Sequence, residues 1–303
     1  MGSNVKIAVL SDIHSNYEAF KTCVDYMEEQ GVSEYILLGD YVSDTAQARE
    51  TMDFLYELIS TRKVSLVRGN REEYFLNQRK IQLGQEEGLK WQANSASGNL
   101  LYTYERLEDR DFEFLDSLPI SMIYKYEDFP AITCCHGSPA NAREWLGLDL
   151  EITREWLRKI DTEYLMAAHT HYPGVVKENG KTYINTGSVG IAIGDAGLAQ
   201  CYILHGIEED GIKRWEPEFV KIPYNRDLVL ELIESSGLHA MAPWFINSNI
   251  QILLTGIDNS AALAMLAPKL QTEDTGVTAV WPCIDEKYFA MAAQQLGVPD
   301  YRY

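Results

Sequence analysis

The chain has 303 residues, of which 26 are Lys or Arg and 45 are Asp or Glu, so its formal charge is −19. This charge argues against general binding to nucleic acids or anionic membranes, because phosphates would be repelled except at a locally positive site. Hydrophobic residues make up 46% and charged residues 23%, as in globular proteins, which excludes a disordered or fibrous chain. The length allows one or two domains with cores of their own.

The first third of the chain alternates predicted strands and helices. Short apolar or β-branched runs predict strands at Val5–Leu10, 35–38 and 64–67. A helix is predicted after the capping-box pattern that begins at Ser15, and the apolar spacing of residues 48–59 predicts a second. This alternation implies right-handed crossovers and helices that cover a sheet.

The middle of the chain is predicted to be helical at first and then rich in strands. Residues 71–118 are polar and helix-like. Strands follow at 120–126, 132–135, 164–168, 199–204 and 219–222, with a helix at 150–160 and a hairpin that turns at Asn179-Gly180.

Residues 226–303 form a predicted C-terminal extension with helices at 226–235, 260–270 and 286–296. Neither charge density nor a Gly/Ser/Pro linker separates it from residues 1–225. We expect the extension to pack on residues 1–225. Its aromatic side chains are assigned to ordinary packing, with a subunit contact as the alternative, and the sequence assigns the extension no function.

The five cysteines and the apolar segments bear on the compartment. The cysteines show neither a framework spacing nor an even count, which indicates a reducing compartment, and a cytoplasmic location is predicted. The residues near the N-terminus contain no long apolar run, so the sequence predicts no export signal. The longest uncharged stretch, residues 235–257, contains Ser, His, Pro, Asn and Gln and is too polar for a membrane span.

Nearly every cluster of side chains that could bind a metal follows a predicted buried strand. The clusters are Asp12-Ile13-His14, Gly39-Asp40, Gly69-Asn70, His136-Gly137 and His169-Thr170-His171. Because strand ends in open α/β sheets form the ligand crevice, these side chains can converge. Taken singly, each cluster has an ordinary explanation, such as a helix cap, a turn or a structural histidine. Their order and common position favour one shared site.

Carboxylate, imidazole and amide oxygen together suit a hard to borderline divalent ion better than a thiolate-held structural zinc. One carboxylate shared by two ions would give a two-metal site for phosphoryl chemistry, which needs charge neutralisation above all. A zinc amidohydrolase also places ligands at strand ends. Its first strand normally carries His-x-His, where this chain has Asp12-Ile13-His14, so we rank that class lower.

With this ordered set of motifs, the sequence resembles the calcineurin-like metallophosphoesterases, and the small bacterial phosphodiesterase-like members in particular. The resemblance spans residues 5 to about 190 and includes the turn Asn185-Thr186-Gly187-Ser188. It implies an α/β fold, a four-layer sandwich of two facing mixed β-sheets flanked by helices in residues 1–225, plus the mostly helical extension. It also implies two divalent metal ions, with Mn favoured over Fe, Zn or Ni.

The metal ligands that the resemblance implies form two sets of three around a shared carboxylate. They are Asp12, His14 and His171 for the first metal, Asn70, His136 and His169 for the second, and Asp40 as the bridge. A metal-bridging hydroxide would attack the phosphorus in line with the leaving group. The implied catalytic residues are Asp40, Asn70, Arg71 and His136, of which Asn70 and Arg71 also bind substrate.

Two positions depart from the family pattern. The family often reads Gly-Asn-His followed by an acid, with the His as general acid, where this chain reads Gly69-Asn70-Arg71-Glu72. Because Arg71 cannot release a proton near neutral pH, it is predicted either to bind phosphate oxygens or to lie on a solvated helix face. Ala168 replaces the Gly that usually precedes the first His of the pair, and we expect little consequence.

The leading hypothesis is hydrolysis of phosphodiesters or nucleotide polyphosphates, because some small bacterial members that similarly lack this His are phosphodiesterases. A phosphomonoesterase or protein phosphatase of the same family is one alternative, and a catalytically weak metal-binding scaffold is another. The predicted partner is a small phosphate ester, including nucleotides, without general nucleic-acid or membrane binding. A homo-oligomer is left open.

Overall fold

Residues 5–302 are described by the structure, a computed structural model, and they form ten strands and eleven helices. The strands are β1 (Val5–Leu10), β2 (Glu34–Leu37), β3 (Val64–Leu66), β4 (Ser121–Tyr124), β5 (Ile132–Cys135), β6 (Tyr164–Ala167), β7 (Gly174–Glu178), β8 (Lys181–Asn185), β9 (Leu198–Glu209) and β10 (Ile212–Pro223). They make two five-stranded mixed sheets, with the orders β10-β9-β1-β2-β3 and β4-β5-β6-β8-β7.

Six helices lie among these strands and five follow them. They are α1 (Tyr17–Glu29), α2 (Ala48–Thr61), α3 (Asn70–Gln82), α4 (Gly98–Tyr104), α5 (Asp109–Ser117) and α6 (Glu151–Lys159), then α7 (Arg226–Ser235), α8 (Leu238–Met241), α9 (Pro243–Thr255), α10 (Ser260–Thr275) and α11 (Glu286–Leu296). No helix within residues 5–302 has the length and apolar character that crossing a membrane requires.

Alternate residues of the strands explain why the two sheets face each other. Ile7 and Val9 of β1 pack in one core with Cys134 and Met166 of the second sheet, whereas Ala8 and its alternate neighbours pack against α1 and α2. Leu157 of α6 packs on the outer face of the second sheet. The layers are therefore helix, sheet, sheet and helix, which confirms the predicted sandwich.

Two local predictions needed correction or extension, and a third is confirmed. The first helix is capped by Asn16, whose side chain accepts a hydrogen bond from the Ala19 amide at 3.1 Å, so the capping-box start at Ser15 was wrong by one residue. Strands β9 and β10 are twelve residues each, longer than predicted, because they continue to a shared turn at Asp210-Gly211. The predicted hairpin turn at Asn179-Gly180 is confirmed, with positive φ at both residues.

Helix α9 in the C-terminal extension was not predicted. Its buried residues include apolar Ile246 and Ile250 together with polar Asn247, Ser248 and Asn249, so it is covered on several sides and lacks the polar face of an ordinary surface helix. Such a sequence has no clear apolar stripe. The other three predicted helices of the extension are present as α7, α10 and α11. The division of the chain at residue 225 stays a prediction.

Candidate metal centre

All seven candidate ligands lie at the carboxyl ends of strands in the two sheets. Asp12 and His14 follow β1, Asp40 follows β2, and Asn70 begins α3 after β3. The histidines of the second sheet are His136 after β5, and His169 and His171 after β6. Because β1, β2 and β3 are parallel to one another, as are β5 and β6, each sheet presents its ligands at one edge.

Five of these seven residues have a left-handed backbone, which is uncommon outside glycine. Their φ angles are 50° for Asp12, 51° for His14, 53° for Asp40, 66° for His169 and 58° for His171. Sparsely populated backbone conformations of this kind persist where surrounding structure fixes them, and they cluster at functional sites. Ordinary helix caps or turns at separate places do not account for five such residues around one centre.

Two glycines allow the loops after β2 and β3 to touch. Gly39 has φ of +89°, and a Cβ built there would lie 2.4 Å from the Gly69 nitrogen. A Cβ on Gly69 would lie 2.1 Å from Asp40 Oδ1. Only residues without a side chain permit this approach, which brings Asp40 and Asn70 together.

The first ligand group is built around Asp12. Its Oδ1 lies 3.2 Å from His171 Nε2 and 3.7 Å from His14 Nε2, and the two Nε2 atoms are 3.1 Å apart. These three atoms satisfy the spacing expected around one metal ion. The first predicted set of ligands therefore does come together.

The second ligand group centres on His136. Its Nε2 lies 3.4 Å from Asp40 Oδ2, 3.9 Å from Asp12 Oδ1 and 2.9 Å from Asn70 Oδ1. Asp12 thus belongs to both groups, while Asp40 Oδ2 is 3.9 Å from His14 Nε2. Both carboxylates lie between the two sets, and the assignment of Asp40 as the bridge stays a prediction.

His169 lies beside His136 and outside the two ligand groups described above. Its ring centroid is 5.1 Å from that of His136, and its backbone amide donates to Asp12 Oδ2 at 3.2 Å. Burial and the neighbouring His136 lower the pKa of His169 to about 4, so its ring stays neutral and can offer a lone pair to a metal. Ala168 is not among the described residues with positive φ, as expected.

Hydrogen bonds at the far side of the rings orient them toward the centre. His136 Nδ1 donates to the Leu38 carbonyl at 2.8 Å, and His171 Nδ1 donates to the Ile191 carbonyl at 2.9 Å. A carbonyl oxygen can only accept, so Nδ1 carries the proton in both residues. Their Nε2 atoms then face the carboxylates. Metal-binding histidines are oriented in the same way, by a hydrogen bond from the ring nitrogen that does not bind the metal.

One buried carboxylate oxygen at the centre lacks a hydrogen-bond donor among the described residues. Asp12 Oδ1 is buried and accepts no hydrogen bond from any residue between 5 and 302. Burial would raise the pKa of Asp12, but His171 and His136 hold it well below its ordinary range. Burial would lower the pKa of His14, but Asp12, Asp44 and Asp40 raise it to about 10. An orphaned carboxylate oxygen facing imidazole nitrogens fits a divalent metal ion.

Arg71 reaches the centre through a carboxylate that the sequence analysis did not identify. Its Nη2 donates to Asp44 Oδ2 at 2.8 Å, and the same oxygen is 3.1 Å from His14 Nδ1. The side chain of Arg71 is 21% exposed and pairs with a buried carboxylate, which argues against the alternative of a solvated helix face. The only sequence signal for Asp44 was an acid four residues after Asp40 within a largely uncharged loop.

The cavity beside these ligands has a volume of about 280 Å³. Besides the candidate ligands, Arg71, Tyr74 and Trp145 line it. The extension supplies another wall through Phe245 and Asn249 of α9. Residues to which the sequence assigned only packing therefore line the candidate active site.

Residues 5–210 match the model of the calcineurin-like phosphoesterase superfamily domain, so the chain belongs to this family. The family uses divalent metal ions, in keeping with the two ligand groups. A similar sequence is the uncharacterized protein MJ0912 of Methanocaldococcus jannaschii, which is 26% identical over 183 residues, or 60% of this chain and 69% of that protein.

Two solved structures are similar in fold. Hypothetical protein PH1004 from Pyrococcus horikoshii OT3 has a TM-score of 0.67 at 21% identity, with 84% of this chain and 99% of that chain covered. A metallophosphoesterase from Sphaerobacter thermophilus has a TM-score of 0.63 at 21% identity, with 84% and 100% covered. At this identity they support the fold alone.

Proposed function

We propose that this protein hydrolyses phosphodiesters or nucleotide polyphosphates at a two-metal centre formed by the seven candidate ligands. The observation that carries the proposal is the buried, unpartnered Asp12 Oδ1, which lies within 3.9 Å of three imidazole nitrogens. Bound divalent ions would supply Lewis-acid charge and a nucleophilic water at neutral pH. Mn²⁺ is the metal we propose, with Fe, Zn or Ni as alternatives.

Arg71 is proposed to bind the phosphate oxygens of the substrate. Asp44 holds one guanidinium nitrogen, and Arg71 Nε has no hydrogen-bond partner within residues 5–302. Asp44 therefore orients the planar fork without occupying all of its donors. A fixed guanidinium matches two phosphate oxygens better than a flexible ammonium does. Asn70 is the second proposed contact, because it lines the same cavity.

The preference for anhydrides, and for diesters with an acidic leaving group such as a phenol, rests on the chemistry of the leaving group. Arg71 stays protonated near neutral pH and cannot give a proton to a departing alkoxide. It can stabilise developing negative charge, which is sufficient when the leaving group is itself acidic. Alkyl esters, unactivated monoesters among them, have alkoxide leaving groups that need a proton, and they are expected to react slowly.

The test is a panel of monoester, diester and polyphosphate substrates assayed with Mn²⁺, Ni²⁺, Zn²⁺ and Mg²⁺. We expect the highest kcat/KM for an aryl phosphodiester with Mn²⁺, and loss of both metal and turnover in Asp40→Asn. The matched control is Asp161→Asn, an exposed carboxylate outside the site that should keep full activity. An active Asp40→Asn enzyme would refute the proposal, and absence of turnover with both metals bound would favour a scaffold.

Introducing His at position 71 separates diesterase from monoesterase chemistry. Arg71→His places a group with an ordinary pKa of about 6.5 where a proton donor could act. We expect the rate to depend less on the pKa of the leaving group. We also expect activity on monoesters to rise relative to activity on diesters. The proposed partner is accordingly a small phosphate ester in the cytoplasm, and no function in binding nucleic acids or membranes is proposed.

A further inference from the structure

A second, larger cavity adjoins the candidate metal centre. Its volume is about 710 Å³, within the range of sites that hold drug-sized ligands. Arg71, Tyr74, Phe245 and Ala264 line both cavities, so the two share a boundary beside the proposed phosphate contact. A phosphate at the metal centre could therefore place its substituent in this space.

The walls of the second cavity come from different parts of the chain and are joined by hydrogen bonds. Helix α3 and residues 83–97 form one wall, and the extension forms the other. Trp281 Nε1 donates to the Ala96 carbonyl at 2.8 Å, and Asn94 Nδ2 donates to the Pro282 carbonyl at 2.9 Å. The Ser95 amide donates to Glu286 Oε2 at 2.8 Å. These bonds fix the extension against the 83–97 segment, and the cavity remains open beside them.

The lining combines aromatic rings with aliphatic side chains, a few amide groups and a few charged groups. Trp91 is 6% exposed and Trp281 is 51% exposed, and their ring centroids are 6.4 Å apart. Phe289 contributes a further ring. Such a surface favours a flat ring that can pack against aromatic faces.

Gln78 is an independent sign that a ligand completes this cavity. It lines the space and is only 2% exposed, yet its Nε2 has no hydrogen-bond partner within residues 5–302. Buried amide groups are nearly always paired, because leaving them unpaired is costly. Once the buried amide turns toward the space, a hydrogen-bond acceptor on a ligand would satisfy this donor, whereas an alkyl chain would not.

We propose that the second cavity binds the organic part of the substrate, and that this part is a planar aromatic heterocycle with a hydrogen-bond acceptor, as in a nucleobase. The inference rests on the proposed function, since it places the phosphate at the metal centre. Trp281 and Trp91 contact the ring, and the Gln78 side-chain amide donates a hydrogen bond to an acceptor at the edge of the ring. The extension thus determines substrate specificity.

The experiment measures binding without turnover, using phosphonates in which a P–C bond replaces the scissile P–O bond. Calorimetric titrations of Mn²⁺-loaded protein compare a nucleoside 5′-methylenephosphonate, the matching ribose phosphonate and n-octylphosphonate. We expect the nucleoside probe to bind about tenfold more tightly than the ribose probe, because one base stacks on aromatic rings. Equal affinity for these two, or tighter binding of the octyl probe, would overturn the inference.

Two variants locate the preference in the cavity. Trp281→Ala and Gln78→Leu should each reduce the preference for the nucleoside probe to about twofold or less. Gln82→Leu, on the same helix one turn later and outside both cavities, is the matched control and should keep the full preference. If Trp281→Ala fails to fold, the test rests on the smaller change Gln78→Leu. An unchanged preference for the nucleoside probe in Gln78→Leu would contradict the proposal.

The outcomes distinguish this inference from the proposed function. A nucleoside preference without hydrolysis of any ester would refute the phosphoesterase activity and leave the cavity as a ligand site. Hydrolysis of diesters with no nucleoside preference would support the activity and overturn the inference about the cavity.

Discussion

Asp44 links Arg71 to the candidate metal centre. Its Oδ2 accepts a 2.8 Å hydrogen bond from Arg71 Nη2 and lies 3.1 Å from His14 Nδ1. Asn99 donates to the other carboxylate oxygen at 2.6 Å, and Asn249 of α9 donates to the Asp44 backbone carbonyl at 3.1 Å. Burial would raise the pKa of Asp44, but Arg71 and His14 hold it well below its ordinary range. One buried carboxylate fixes both a candidate metal ligand and the proposed phosphate contact.

Replacing this carboxylate by an amide should therefore weaken two properties at once. In Asp44→Asn we expect Mn²⁺ affinity and kcat/KM each to fall about 10- to 100-fold, as for other groups that orient metal ligands. Metal titration followed by diester kinetics at saturating Mn²⁺ would separate the two effects. Asp161→Asn serves again as the control, and wild-type metal affinity in Asp44→Asn would show that Asp44 does not orient His14.

Removal of the Arg71 guanidinium should act mainly on substrate binding. In Arg71→Ala we expect KM to rise by the equivalent of about 1–3 kcal/mol, as for a lost charge-assisted hydrogen bond. Arg71→Lys should recover only part of this, because an ammonium lacks the planar fork. The control Arg79→Ala removes an arginine of similar exposure, 27%, from the same helix. If KM is unchanged in Arg71→Ala, Arg71 serves only to neutralise Asp44.

Glu72 holds together the two loops that carry Asp40 and Asn70. Its carboxylate is fully buried and accepts hydrogen bonds from the backbone amides of Gly69 at 2.6 Å, Asp40 at 2.8 Å and Tyr41 at 2.9 Å. Burial and the neighbouring Asp40 raise the pKa of Glu72 to about 7. The charge of Glu72 does not explain why a carboxylate is buried at this position. Its three hydrogen bonds to backbone amides do.

The variant Glu72→Gln keeps the shape but turns one acceptor into a donor that faces a backbone N–H. We expect the free energy of unfolding to fall by about 1–3 kcal/mol, together with weaker metal binding. Urea unfolding and Mn²⁺ titration measure the two quantities. Glu73→Gln, one residue along the same helix, should change neither the free energy of unfolding nor the Mn²⁺ affinity. A Glu72→Gln protein as stable as the wild type would show that the three contacts of Glu72 do not hold the two loops together.

The sequence predicts that the candidate ligands follow strands, as they do in the structure, but it does not predict their surroundings. The ligands follow strands, and the position of a strand end depends on local apolar runs that can be recognised along the chain. The surroundings of Asp44 depend on contacts with Asn99, 55 residues away, and with Asn249, 205 residues away. No local pattern encodes such pairings, because they follow from how the layers pack.

The same reasoning explains why the sequence assigned the extension no function. Helix α9 is buried on several sides and mixes polar with apolar residues, so it showed no stripe that would define a helix or a cavity wall. Once packed, Phe245 lines both cavities. An aromatic residue that covers a core and one that lines a ligand site are the same in a sequence, and only the neighbouring elements distinguish them.

Proton and metal binding should compete at the centre, with a measurable effect on stability. His14, with a pKa near 10, and His136, with a pKa near 9, both exceed the ordinary value of 6.5 because buried carboxylates surround them. Without metal, each keeps a proton above pH 6.5 that the unfolded chain releases. The stability they contribute is thus fully present below pH 6.5 and is lost as the pH rises through 9 and 10.

We therefore expect the free energy of unfolding of the EDTA-treated protein to fall between about pH 7 and about pH 9, by up to about 1.4 kcal/mol per pH unit for each retained proton. Excess Mn²⁺ should flatten this slope, because the metal replaces the protons on the imidazoles. Urea unfolding at three pH values, with EDTA or with Mn²⁺, measures both slopes. His14→Asn should reduce the slope in EDTA, whereas His205→Asn, which removes an imidazole paired with Glu218 outside the centre, should leave it unchanged. Equal slopes with EDTA and with Mn²⁺ would mean that the protons and the metal do not share this site.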